Sequence, residues 1–424
     1  MPCGAFLGGG GHSALVGACV GVFLSLGCGK VVGATDQVGA GGHSNEGDSS
    51  VGMPPPVSDA ACILASEVVD TGATFSGIGP AVAPDGRLHL SYVRNAERTL
   101  PELWYAARDA DRFLLERVRE SVPAPSYSSL SFDPSGQPLI AHFSGTPSTP
   151  QQGRRTDAGW QHDVVGLTAN VPRYYYIESD IGSDGVERVF YKVIANAVVA
   201  ATRQSDGWVA QAREIFGSSL RASFTSGGEP VIAYYHREYT YDGGTMVRAD
   251  DVLRVNTGDM IETVDSSGYD VVDLQPASAC SDLELAVDVG SDGRYHVLYA
   301  VHAADNQCEL RYAVRENGSW KMESLWTLPK LGFVDLHASS SAEPAITYLD
   351  GNEVAFAARL DAEWRRIRLG ATSTSLARVV GDSERAFVLY FDGVAGALVL
   401  ATINPACGER LQPEHHAICR HSRA

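Results

Sequence analysis

The sequence predicts an all-β fold, a seven-bladed β-propeller closed by its own N-terminal strand. Three observations predict it. One short strand phrase is written seven times, each copy is flanked by further strand-like runs, and the last copy lacks a run that the N-terminal side has to spare. The phrase is plainest in APDGRLHLSY at 83–92, TSGGEPVIAYY at 225–235, SDGRYHVLYA at 291–300 and SAEPAITYL at 341–349.

Aligned on its final aromatic position, the phrase ends at Tyr92, His142, Tyr191, Tyr234, Tyr299, Tyr348 and Tyr390. Two residues earlier stand Leu90, Ile140, Val189, Ile232, Val297, Ile346 and Val388, so apolar residues recur with the period of two that marks a strand with a buried face. The copies recur about every 50 residues, the pitch of a repeat architecture. Before each phrase lies another alternating run, such as Ile177–Ile181 or Leu285–Val289, separated by Gly or Asp-Gly hairpin chemistry. A third run follows, as LWYAAR at 103–108, LRYAVR at 310–315, VAFAAR at 354–359 and LVLAT at 398–402. A fourth opens on a bulky residue: Phe113, Trp160, Trp208, Met260, Trp320 or Trp364. Four short antiparallel strands repeated around an axis make a propeller blade.

The seventh unit stops after its third strand, at Asn404-Pro405. The run from Cys62 to Val68 fits the missing register, with Ile63 in the tryptophan column and Val68 where other units have Val118 or Leu325. An N-terminal strand there completes the last blade and removes the open edge of the array. The propeller then spans about 61–403, with 404–424 as a C-terminal tail.

The chain has 424 residues and a formal charge of −18, from 51 acidic against 33 basic side chains, which disfavours nucleic acid and anionic lipid as partners. Residues 14–26 form an apolar run ending in Leu24-Ser25-Leu26-Gly27-Cys28, the length of a signal-peptide core and too short to span a bilayer. Residues 1–28 resemble a bacterial lipoprotein signal with Cys28 as the acylated residue, although Ser25 stands where a leucine is usual and no Lys or Arg precedes the run. Residues 29–60 are rich in Gly, Ser, Asp and Pro and read as a flexible tether. The expectation is an exported monomer, an envelope lipoprotein or an extracellular protein, touching membrane only through a lipid anchor. The remaining cysteines, Cys62, Cys280, Cys308, Cys407 and Cys419, are widely spaced without a Cys-x-x-Cys, which in an exported chain points to disulfides. Cys280 with Cys308 is the expected pair, and Cys407 pairs with Cys419 or Cys62.

The Gly-x-Pro-x-Ile-x-Tyr strand, the Leu-x-Tyr-Ala strand and the Trp-led strand resemble the propeller repeats of bacterial surface and secreted proteins in the broad sialidase-like grouping. The resemblance implies architecture only. The Ser-x-Asp-x-Gly-x-x-Trp box and an arginine triad on equivalent strands are both missing from the sequence, so sialidase activity does not carry over.

The aromatic and tryptophan columns recur in every unit and read as core packing between blades, His142 included. Function must instead break the repeat. Channel-facing positions of the first strands are expected at Gly79/Ala81, Ser129/Ser131, Glu178/Asp180, Arg221/Ser223, Ala286/Asp288, Asp335/His337 and Ala377/Val379. Glu178, Asp180, Arg221, Asp288, Asp335 and His337 thus gather near the axis as a candidate ligand site, with a water-filled channel of structural ion pairs as the competing account. Acceptors with one guanidinium fork suit a polyhydroxylated or cationic ligand and suit phosphate poorly. No nucleophile elbow, phosphate loop, His-Glu-x-x-His or EF-hand spacing occurs, so no cofactor or metal is expected. The insertion at 236–251, with Asp242, Asp250 and Asp251, reads as a solvated loop. The expected function is binding or scaffolding, for a glycan or a surface protein. The alternative is a glycan-cleaving hydrolase using the channel carboxylates.

Overall fold

The structure, a computed structural model, describes residues 59–410 apart from short connecting segments, the longest being 167–175 and 267–279. The apolar run, Cys28, almost all of the tether and Cys419 lie outside the described residues. Among the described residues the chain forms 29 strands, numbered β1 to β29 in chain order. They make seven antiparallel sheets, six of four strands and one of five, and this is a seven-bladed β-propeller. The innermost strands are β2 (Thr74–Val82), β6 (Ser129–Phe132), β10 (Ile177–Ile181), β14 (Ser218–Phe224), β18 (Leu285–Val289), β22 (Leu331–Ala338) and β26 (Ala377–Gly381). Each touches the next, and β26 touches β2, so the ring is closed.

The repeated Asp-Gly phrase is the turn between the first two strands of a blade. Asp85, Asp133, Asp184 and Asp292 each accept a hydrogen bond from the backbone N–H two residues on, at Arg87, Ser135, Val186 and Arg294, over 2.9–3.0 Å. The following Gly86, Gly136, Gly185 and Gly293 have φ between 74° and 80°, which a side chain would disfavour. Beyond the turn, the aromatic column is buried in every blade, and His142 with it. Burial pushes His142 down to about 3, so its imidazole is neutral at ordinary pH and its Nδ1–H donates to the Ile140 carbonyl at 3.2 Å. It is a packing residue.

The N-terminal strand β1 (Ile63–Thr71) pairs antiparallel with β28 (Ala397–Ile403), from Ile63 opposite Ile403 to Thr71 opposite Ala397. A register shift between Ile63 and Ala65 adds one residue near the start of the strand, so the expected Val68 points outward, 58% exposed, and Val69 takes the buried place at 6%. Cys62 and Cys407 are joined by a disulfide beside this pairing, which resolves the choice left for Cys407. Cys280 and Cys308 are bonded as expected. The segment read as a tail adds β29 (Glu409–Arg410) to the outer strand β25 (Glu363–Thr372) of the sixth blade.

The insertion is not a loop. β15 (Pro230–Asp242) and β16 (Thr245–Thr257) run thirteen residues each and stay paired from Val231 opposite Thr257 to Asp242 opposite Thr245. Asp251 accepts from Arg237 Nε and Nη2 at 2.9 and 2.8 Å, an ion pair across the hairpin. Beyond His236 the β15 side chains are exposed on both faces, so this stretch lacks the apolar period that marks the other strands.

Candidate functional site

Strand register decides which side chains reach the axis. Ile177 lies opposite Tyr191, Leu285 opposite Tyr299, Val334 opposite Tyr348 and Ala377 opposite Tyr390. The residue after each points the other way, into the channel, and gives Glu178, Ala286, Asp335 and Arg378. By the same register Gly79, Ser129 and Arg221 complete a first ring. A Cβ on Gly79 would stand 2.7 Å from the Ser128 carbonyl oxygen, which explains the glycine. Two residues further on lies a second ring: Ala81, Ser131, Asp180, Ser223, Asp288, His337 and Val380.

For the seventh blade the expected Ala377/Val379 is therefore corrected to Arg378/Val380. A shift of one residue exchanges the two faces of a strand, and Ala-Arg-Val-Val-Gly lacks the clean alternation that fixes register in the other blades. Arg378 is the functional candidate that sequence reasoning missed, along with Tyr176 beside the cavity.

Glu178, Asp180, Arg221, Asp288, Asp335 and His337 all line one cavity of about 340 Å³, together with Arg378 and Tyr176. They divide into two groups. Asp335 accepts from Arg378 Nη1 at 2.6 Å and from the Val379 backbone N–H at 2.9 Å, tying the sixth blade to the seventh. Burial alone would weaken the Arg378 charge, but Asp335 and Glu178 outweigh it and hold the guanidinium more firmly protonated than usual. Asp288 accepts from Ser223 Oγ, the Val289 N–H and the Ala338 N–H at 2.8–2.9 Å, which joins the fourth, fifth and sixth blades. His337 lies beside it, with Nδ1 3.6 Å from Asp288 and Nε2 donating to the Gly381 carbonyl at 2.9 Å. Burial raises the Asp288 carboxyl above its ordinary range in spite of that imidazole.

The other group faces the space. Burial pushes Glu178 up to about 7, with Arg378 pulling the opposite way, and Ser129 Oγ donates to its carboxylate at 2.7 Å. Burial pushes Asp180 up to about 6, and neighbouring Asp288 adds to the rise. Arg221 lies over Tyr176 and Tyr127, 5.2 and 5.9 Å from the ring centroids. The Tyr176 ring is itself fixed, because its hydroxyl accepts the Ala222 N–H at 2.8 Å and lies 3.0 Å from the Ala222 carbonyl.

Toward the first and seventh blades the wall becomes more apolar. Ala81, Val82, Val379, Val380 and Phe387 line a second space of about 670 Å³ that shares His337 with the first. Among the described residues no group of three or more His, Cys, Asp or Glu side chains is placed to hold a metal ion. None of their helices is long and apolar enough to cross a membrane.

No protein-family model matches the chain, and no curated protein matches it in sequence. Solved propellers match it in shape. The β-propeller domain of the trilobed protease from Pyrococcus furiosus is 10% identical, with 83% of this chain and 99% of that chain covered at a TM-score of 0.48. The Aleuria aurantia lectin in complex with Fucα1-6GlcNAc is 12% identical over 68% and 98%, at 0.42. A PL25 ulvan lyase bound to a GlcA–Rha3S saccharide is 11% identical over 80% and 95%, at 0.45. Such distant likeness transfers no site residue, so function has to be argued from the channel.

Proposed function

We propose that the chain is an exported propeller that binds a saccharide at the polar end of its channel. The observation that carries this reading is the convergence of Glu178, Asp180 and Arg221 on one 340 Å³ cavity beside the Tyr176 ring. The volume lies at the small end of ligand cavities and suits one or two sugar units. Carboxyl oxygens, a guanidinium fork and serine hydroxyls supply both kinds of hydrogen-bond partner that a polyhydroxylated molecule requires. Two disulfides support an oxidising compartment, and we read the apolar run at 14–26 as the export signal, with Cys28 as its acylation point.

Glycan-array binding tests the reading. Asp180→Asn should weaken capture of the strongest saccharide by roughly 1.5–3 kcal/mol, typical of a lost charge-assisted hydrogen bond, with melting temperature at neutral pH unchanged or raised because a buried charge is removed. An array that captures nothing, or binding indifferent to Asp180→Asn, would overturn it. Glu178, held near 7, also meets the acid requirement of glycan cleavage, and chromogenic glycosides assayed alongside read that second possibility.

A further inference from the structure

Arg221 and Arg378 occupy the same register position on β14 and β26, yet their surroundings differ. Arg378 is neutralised by Asp335 at 2.6 Å. Arg221 spends one donor, Nη1, on the carbonyl of the preceding Leu220 at 3.0 Å, and among the described residues no carboxylate lies within ion-pair reach of it. A guanidinium has five N–H donors in a fixed plane, so most of its fork remains available. The cation–π contacts with Tyr127 and Tyr176 restrain the guanidinium before any ligand arrives, which lowers the entropy cost of binding.

The acids around it are already occupied in ways that make room for an anion. Asp335 is paired with Arg378, and Asp288 is enclosed by Ser223, two backbone N–H groups and the adjacent His337. Glu178, pushed up to about 7, takes up a proton as pH falls through neutrality and can then donate rather than repel. Asp180 is the remaining acid on this side. One open fork beside one remaining acid matches a planar monoanion better than a doubly charged phosphate.

We infer that Arg221 is the recognition element for a carboxylate on the ligand, so that the channel takes an acidic saccharide of the uronate class. The inference rests on the saccharide reading given above and narrows it: of the polyhydroxylated and cationic ligands that the sequence suggests, the geometry selects a polyhydroxylated anion.

The test uses the full chain and oligomers of one to four units of glucuronate, galacturonate, mannuronate and guluronate, each beside its carboxyl methyl ester and its neutral hexose counterpart. Titration calorimetry on the wild type should show a free acid bound at least tenfold more tightly than its ester. Arg221→Gln should erase that preference and cost roughly tenfold to a hundredfold in affinity for the acid. Arg221→Lys, which keeps the charge and loses the fork, should retain part of it. Equal binding of acid and ester, or neutral oligomers bound in preference to all four uronates, overturns the inference and leaves the saccharide reading standing. If neither class binds and the glycan array is blank, both fall. The acid–ester comparison needs no variant, so it decides the matter even if Arg221→Gln does not fold.

Discussion

The closing blade and the channel wall both join segments that are far apart in the sequence, and they do so with opposite chemistry. In the closing blade, β1 lies along β28 through a main-chain ladder, with Val69 buried in the apolar core and Cys62 bonded to Cys407 at one end. Along the channel, neighbouring inner strands are joined instead by side chains, as Asp335 reaches Val379 and Asp288 reaches Ala338. The first joint depends mainly on shape, burial and main-chain hydrogen bonds, with Glu67–Arg108 and Asp70–Arg94 ion pairs at its margin. The second depends on the charge of a few carboxylates held in a cavity. Permanence is thus concentrated at the seam and responsiveness at the axis.

Removing residues 59–71 should break the comparison most severely, because it strips a blade and exposes the β28 edge. Loss of several kcal/mol or aggregation is expected in thermal melts and size-exclusion chromatography. A monomer with unchanged melting temperature would show that the seam is not what closes the ring. Asp335→Ala comes next: leaving Arg378 unpaired in a buried site should destabilise the fold by about 3–5 kcal/mol, measured by urea unfolding. A loss under about 1 kcal/mol would mean that the inner strands do not need this joint. Replacing Cys62 and Cys407 together with serine should cost about 2–4 kcal/mol, while Cys280 and Cys308 stay protected from alkylation until reductant is added.

The smallest expected effect concerns pH. A carboxyl raised from 4.5 to about 7 binds more protons in the folded state than in the unfolded one, so its contribution strengthens as pH falls from 7 toward 4.5 and is lost as pH rises through 7. Glu178→Gln should therefore narrow the gap between melting temperatures at pH 5 and pH 8, mainly by raising the value at pH 8. An unchanged gap would place Glu178 in contact with water and sharpen the contrast in favour of Asp180 as the responsive acid.

Most of the architecture was legible because it is repeated. Tyr191, Tyr299 and Tyr348 each announce a blade independently, so an error in one unit is corrected by the others. The departures occur where a unit differs from its siblings. An added residue near Ile63 moved the buried valine from Val68 to Val69. Ala377 in a core position hid the phase of β26 and with it Arg378. The β15–β16 hairpin looked like a loop because nothing of its length exists elsewhere in the chain. The channel residues were found as a set, but their division into Asp335 and Asp288, which staple blades, and Glu178, Asp180 and Arg221, which face the cavity, depends on partners some 40 to 65 residues away in sequence. Period alone carries no information about such partners.

The bond between Cys62 and Cys407 has a mechanical consequence. It joins the start of the first described strand to the turn that follows β28, bridging a sequence separation of 345 residues with Cα atoms 5.3 Å apart. A tension applied between residues 59 and 410 is carried by that single covalent link, and apart from the two-residue β29 the seven sheets lie outside the load path. Under oxidising conditions, a pulling experiment on these two points should yield only the extension of the short flanking segments. With the link reduced, the same pull would peel β1 from β28 and then unspool the ring blade by blade.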